Sequence, residues 1–275
     1  MKAENNNTKI RNFNFNKNIN IMILRRLGNK KLMADKIICH FPPHEIYIEP
    51  FFGAGGMFFN KPKVKYNIVN DLDSDVFNLF EVVLNNRKEL DKLFYLMPIH
   101  EDLLNYWSKN KEVDPLKKAL RFLFLSNLGY MGQSSIKYGT ENPKNSVYDN
   151  LENCYKKIHD VQFMNCDFRE MFNKISFRAM RPEKEKTFIY CDPPYLETSN
   201  NYKNGFKKND FIDLLDVLID SNLKFCVSEF DNPFILEQAK QRNLNIIIIG
   251  ERRNMKNKRT EILITNYKNI QTSLF

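Results

Sequence analysis

The sharpest chemistry in this sequence lies at Asp192-Pro193-Pro194-Tyr195. Two prolines remove two amide donors and stiffen the turn, leaving the Asp192 carboxylate and the Pro193 carbonyl as acceptors with no local backbone donor. Acceptors of that kind suit an amino group. Tyr195 adds a flat face on which a nucleobase stacks. An isolated Asp-Pro-Pro corner reads as a rigid turn, so its meaning depends on what stands beside it. Glu49-Pro50-Phe51-Phe52-Gly53-Ala54-Gly55-Gly56 puts three of the nine glycines within four residues. Glycine lets backbone approach a ligand closely. The spacing lacks the third glycine of a dinucleotide loop and the Gly-Lys-Ser/Thr of a triphosphate loop, so a less anionic adenosine ligand fits better. A bare strand turn fits this segment equally well. In Asn70-Asp71-Leu72-Asp73-Ser74-Asp75, Asp71 is the candidate acceptor for both ribose hydroxyls, because a carboxylate has paired oxygens. Asp73 and Ser74 read as caps of the following helix, and the cluster lacks the glycine and closing glutamate of a calcium loop.

Such groups meet only if a scaffold carries their strand ends to one edge. Short β-branched and aromatic runs predict strands at Ile46 to Glu49, Tyr66 to Asn70, Val161 to Met164, Thr187 to Cys191, Phe225 to Ser228, Asn245 to Gly250 and Glu261 to Tyr267. Helical spacing predicts helices from Lys31 to the stop at Pro42-Pro43, from about Asp75, at Phe211 to Ile219 and at Phe234 to Arg242. Alternating strands and helices make an α/β chain with a parallel sheet covered on both faces, and ligands sit at the carboxyl ends of such strands. The last two strands have no helix between them, so they are expected to pair antiparallel, leaving one reversed strand among seven. Residues 1–20 read as a flexible tail, 80–159 as a mostly helical insertion, and 21–79 with 160–275 as the catalytic domain.

Composition narrows the class. In 275 residues, 43% hydrophobic and 27% charged content excludes wholesale disorder, collagen and coiled coil. The longest apolar run, Ile246 to Ile249, is far below the ~20 residues of a membrane span, and the first twenty residues are too polar for a secretory signal; a cytoplasmic location is expected. Five cysteines without a C-x-x-C pair point to reduced core thiols, and no metal is expected. The net charge of +9 favours a polyanionic partner. Arg252, Arg253, Lys256, Lys258 and Arg259 fall between the last two strands, and Lys203, Lys207 and Lys208 follow the proline corner with Tyr202 and Phe206 interleaved. Basic loops at that edge would neutralise phosphates, giving affinity without specificity, although charge alone does not separate nucleic acid from an anionic surface and a solvated loop is the competing reading.

Together, Glu49-Pro50-Phe51 with Gly53 and Gly55, Asn70-Asp71 and Asp192-Pro193-Pro194-Tyr195 resemble the adenine-specific DNA methyltransferases of the Dam type, over about Arg25 to Tyr267. The resemblance implies a Rossmann-like S-adenosylmethionine-dependent methyltransferase fold with an inserted DNA-recognition subdomain. It implies S-adenosylmethionine as cofactor, double-stranded DNA as partner, and transfer to the N6 amine of a flipped adenine without metal or covalent intermediate; oligomeric state is open, with a monomer as the default. Catalysis then falls to Asp192, Pro193, Pro194 and Tyr195. Cofactor contacts fall to Glu49, Phe51, Gly53, Gly55, Asp71 and Asp192, to Lys30 of Gly28-Asn29-Lys30, and to Asp167 and Phe168, where a helix cap is the competing reading of Asp167. Arg121, Tyr130 and Gln133 fall in the recognition region. Arg26, Asn29 and Ser126-Asn127 depart from the family pattern. Two alternatives stay open: an RNA or protein amino-methyltransferase on the same scaffold, and a DNA-binding relative that has lost catalysis.

Overall fold

A computed structural model of the chain describes residues 21–24, 30–129, 143–175, 184–196, 205–253 and 258–268. Its strands are β1 (Ile46–Glu49), β2 (Tyr66–Asn70), β3 (Gln162–Met164), β4 (Thr187–Cys191), β5 (Lys224–Phe230), β6 (Asn245–Arg253) and β7 (Lys258–Thr265). They form one seven-stranded sheet in the order β3-β2-β1-β4-β5-β7-β6. Pairing is parallel from β3 through β5, whereas β7 lies antiparallel to both β5 and β6. The expected single reversed strand is therefore β7. Chain order changes direction between β1 and β4, which puts the crevice for a ligand beside the ends of those two strands.

Alternation along the central strands explains the two faces. Successive strand residues point to opposite sides, so Tyr47, Phe188 and Tyr190 join one apolar cluster while Ile48, Ile189 and Cys191 join another. All five β4 residues are buried, as expected of a strand covered on both sides. Helices α2 (Ser74–Leu96), α3 (Glu101–Lys109), α4 (Pro115–Leu128) and α5 (Pro143–Ile158) contribute Phe80, Trp107, Phe124 and Leu151 to the first cluster. Helices α6 (Phe168–Lys174), α7 (Lys208–Asp220) and α8 (Pro233–Gln241) contribute Met171, Phe211 and Ile235 to the second. The boundary expected at residue 80 falls inside α2, whose Leu79, Phe80 and Val83 share one cluster with Val69 of the sheet.

Several helix starts follow from local chemistry: Asp73, Asp114, Asp167 and Asn232 each accept a backbone N–H of the first turn, and Pro115 and Pro233 open their helices. Asp73 is thus the cap, and Ser74 is the first helical residue. The helix expected from Lys31 is shorter than its periodicity implies. A 3-10 turn at Lys31–Met33 precedes α1 (Ala34–Ile38), and Leu32 is exposed instead of facing the core. Pro42 and Pro43 lie beyond it, as their missing amides require. Among the described residues no helix is long and apolar enough to cross a membrane.

Candidate active site

Turns, not a regular helix, follow β1. The loop is anchored by rings: Phe52, Phe58, Phe59, Phe80 and Phe163 lie with centroids 5.0 to 6.3 Å apart. Each ring fully removed from water is worth about 2 kcal/mol, so the cluster holds the loop firmly. Gly53 (φ 54°) and Gly55 (φ 72°) take the left-handed conformation that side chains disfavour. Gly53 N–H donates to Asp71 Oδ2 at 2.6 Å, and Asp73 N–H donates to Asp71 Oδ1 at 2.8 Å. Asn70, 1% exposed, ties three segments together. Its Nδ2 donates to the carbonyls of Pro50 (3.0 Å) and Cys166 (2.9 Å), and its Oδ1 accepts from Cys166 N–H at 3.1 Å. At the end of β3, Asp167 accepts from Arg169 N–H and pairs with the Arg169 guanidinium, so the helix-cap reading holds there. The rings of Phe51 and Phe168 stand 5.6 Å apart, with Phe206 against both.

Glu49 ends β1 and is buried, with Tyr47 donating its hydroxyl to Oε2 at 2.8 Å. Burial pushes its carboxyl up to about 8; the Tyr47 hydrogen bond and Lys61 oppose this, and Asp192 and Asp71 add to it. The carboxylates at the ends of β1, β2 and β4 therefore lie within electrostatic reach of one another. Lys61, buried over the Tyr47 ring and donating to Asn67 Oδ1, is driven down to about 7 by burial.

At the end of β4, Pro193 is buried, and Asp192, Pro194 and Tyr195 are half-buried. Lys30, which precedes the 3-10 turn, meets them. Its Nζ stands 3.4 Å from Asp192 Oδ1, 2.6 Å from Glu261 Oε1 and 4.2 Å over the Tyr195 ring. The lysine expected by resemblance is thus no solvated charge: it is 2% exposed and lies against the proline corner. Tyr195 does not simply offer an open face, since Lys30 covers its ring and its hydroxyl donates to Glu261 Oε1 at 2.6 Å. Phe230 packs against the same ring at 4.4 Å. Nearby Glu229 is raised to about 9 by burial, opposed by its hydrogen bond from Phe230 N–H and by Lys30, and reinforced by Asp192 and Glu261. Sequence reading missed Glu229 and Glu261, which are ordinary glutamates within apolar strands until the strands are placed. Burial also holds the Cys191 thiol far up, consistent with a buried strand residue and not a nucleophile.

The basic expectations divide. In the β6–β7 hairpin Arg252 pairs across from Arg259 and Arg253 from Lys258, at the edge where the parallel strands end. Arg259 lies over Phe230 at 5.4 Å. Lys207 is exposed at the start of α7. Arg121, in contrast, is engaged internally: its Nε donates to the carbonyls of Trp107 (2.9 Å) and Asn110 (2.7 Å), holding the end of α3. Tyr130, Gln133, Lys203 and Lys256 lie outside the described residues. Asn127, one of the departures, is buried and donates to the carbonyls of Ile23 and Leu123.

The strand order, the reversed β7 and the acceptor groups at the switch point define a Rossmann-like methyltransferase fold. The sequence model of the family described as D12 class N6 adenine-specific DNA methyltransferase matches residues 27–262, and the chain belongs to that family. It is 28% identical over 278 residues to the type II methyltransferase M1.LlaDCHI of Lactococcus lactis subsp. cremoris, covering 88% of this chain and 94% of the relative. It is 25% identical over 250 residues to the DNA adenine methylase of Escherichia coli strain K12, covering 83% and 87%. A solved rRNA methylase from Streptococcus thermophilus aligns with 86% of this chain and 95% of its own at a TM-score of 0.40 and 9% identity. Family membership decides between the alternatives left open by the residues: the activity is adenine-specific DNA methylation.

Proposed function

We propose that this enzyme moves a methyl group from S-adenosylmethionine to the N6 amine of adenine at a specific site in duplex DNA, with Asp192, Pro193 and Tyr195 touching the target base. One observation carries the reading: β4 ends at the switch point in a half-buried Asp192, adjacent to the Glu49-Pro50 end of β1 and 3.4 Å from Lys30. The residues of this edge suit the cofactor. Glu49, Asp71, Asp167 and Asp192 make it rich in acceptors, which matches hydroxyls, an amine and a sulfonium cation better than phosphates. Asp71 and Asp167 already accept N–H groups, but a carboxylate has about four lone-pair sites and keeps capacity. No atom lies within 4 Å of where a Cβ on Gly53 would stand, so the loop leaves room. Phe51 and Phe168 supply apolar cover for an adenine ring. When bound, S-adenosylmethionine supplies an electrophilic methyl carbon.

The target amine is paired inside the duplex, so the base must leave the stack at a cost of a few kcal/mol. Asp192 and the Pro193 carbonyl accept its two amine hydrogens, which keeps the nitrogen lone pair off the ring. Positioning then supplies much of the acceleration. The N6 proton released as the N–C bond forms goes to Asp192, and Tyr195 stacks on the flipped ring with the face turned away from Lys30. The hairpin cations neutralise phosphates, and residues 80–159 read the sequence. All these groups come from one chain, the site of action being cytoplasmic DNA.

Expression in a methylation-free host with single-molecule sequencing is expected to map N6-methyladenine at one short motif. Asp192→Ala is expected to keep duplex binding and lose methyl transfer by about a thousandfold or more, read by tritiated-methyl incorporation. Normal turnover in that variant would refute the assignment.

A further inference from the structure

Glu261 is a buried acidic residue to which the chemistry above gives no task. It stands fourth in β7, opposite Phe230 of β5 and Gly250 of β6. Because β7 runs against the parallel strands, its amino-terminal residues reach the edge where the other strands end. Glu261 is 0% exposed, and its Oε1 accepts from both Lys30 Nζ and Tyr195 Oη at 2.6 Å. Its Oε2 has no hydrogen-bond partner among the described residues. Two short hydrogen bonds converging on one carboxyl oxygen, one of them from a lysine, make a strong anchor.

We propose that Glu261 is a positioning residue for methyl transfer, holding the Lys30 ammonium and the Tyr195 hydroxyl on one oxygen so that the Tyr195 ring and the Asp192 carboxylate keep their places at the target base. The inference rests on the functional reading above. Distances show what it adds. Lys30 lies 2.6 Å from Glu261 but 3.4 Å from Asp192, so Glu261 holds the cation back from the carboxylate that must accept the amine. Without that pull, Lys30 closes on Asp192 and weakens it as an acceptor, and the tyrosine ring loses its anchor. Glu229 does not serve instead: burial keeps it protonated at neutral pH, and the hydrogen bond it accepts comes from the backbone N–H of Phe230.

The test uses the full chain and two duplexes carrying the mapped motif, one with adenine at the target position for turnover and one with 2-aminopurine there for fluorescence. Glu261→Gln is expected to lower kcat at least about tenfold, to leave KM for DNA within about threefold and to raise the fluorescence of the flipped base as stacking loosens. Adding Tyr195→Phe to Glu261→Gln is expected to lower kcat no further than the more damaging single change, because both cut the same link. Wild-type kcat and fluorescence in Glu261→Gln, or losses that multiply in the double variant, overturn the proposal. Where Glu261→Gln does not fold, Tyr195→Phe alone decides, since an undiminished kcat and unchanged fluorescence overturn the link and a tenfold fall supports it. A wild-type chain that leaves DNA adenine unmodified sinks the functional reading and this inference together; a working wild type with an indifferent Glu261→Gln sinks only this one.

Discussion

Two halves of the active edge are organised by different forces. On the β1–β2–β3 side the acidic groups are held by backbone: Asp71 receives the amides of Gly53 and Asp73, Asp167 receives that of Arg169, and Asn70 ties Pro50 to Cys166. On the β4–β5–β7 side, Asp192 and Glu261 gather around one lysine with Glu229 nearby, and two buried carboxyl oxygens, on Glu229 and Glu261, have no partner among the described residues. The first half is set mainly by steric fit and by backbone amides donated to carboxylates, with Glu49 as its titrating group, and the second by a charge balance around Lys30. Breaking the backbone contacts of the first half therefore costs stability at any pH, whereas the buried carboxyls, Glu49 on the first side and Glu229 on the second, respond to proton concentration.

The sharpest way to break that contrast is Gly55→Ala. A Cβ there meets Phe59 Cε2 at 2.5 Å and Phe52 Cζ at 2.9 Å, and the φ of 72° is strained for alanine. Those rings are locked in the phenylalanine cluster, so about 3 kcal/mol of destabilisation is expected from urea unfolding, alike at pH 6 and pH 9. Next, Asn70→Ala leaves the Cys166 amide and two carbonyls without their buried partner and should cost about 2 kcal/mol. A pH-dependent loss in either variant would show that the first half is not held as described.

The second half predicts an opposite pattern through Glu229. Its folded value of about 9 lies above the ordinary 4.5, so its neutral form is what the folded state accommodates. That contribution is intact below about 4.5 and is lost as pH rises toward 9, at a slope on the order of 1 kcal/mol per pH unit. Glu229→Gln removes the titration, and its melting temperature is expected to fall less than that of the wild type between pH 6 and pH 9. The smallest effect is expected for Gly53→Ala: its Cβ meets nothing within 4 Å, so only the strain of a φ of 54° remains, about 1 kcal/mol. Melting curves of the two glycine variants side by side separate clash from strain.

Much of the fold is legible in the residues because strands and stops are local. The β-branched runs at Ile46–Glu49, Tyr66–Asn70 and Thr187–Cys191 are strands at those bounds, and β7 is reversed because no helix separates it from β6. The Lys31 helix is less legible. Its apolar spacing continues through Leu32 and Phe41, but the backbone begins as a 3-10 turn and Leu32 finds no core to enter. Arg121 misleads in another way, since a cation beside a recognition region reads as a phosphate contact until the end of α3 is seen to need its hydrogen bonds.

The glycine loop, the acidic strand ends and the proline corner are recognisable by composition and order, because each draws its chemistry from adjacent residues. Sequence by itself thus determined the family, the methylation chemistry and the sheet's architecture. Only tertiary structure decided that Asp192, Tyr195 and Glu261 converge on Lys30, which lies 231 positions from Glu261. Reversal of β7 turns the amino end of that strand toward the active edge, and burial beside Lys30 gives its first glutamate a partner that no spacing in the chain reveals.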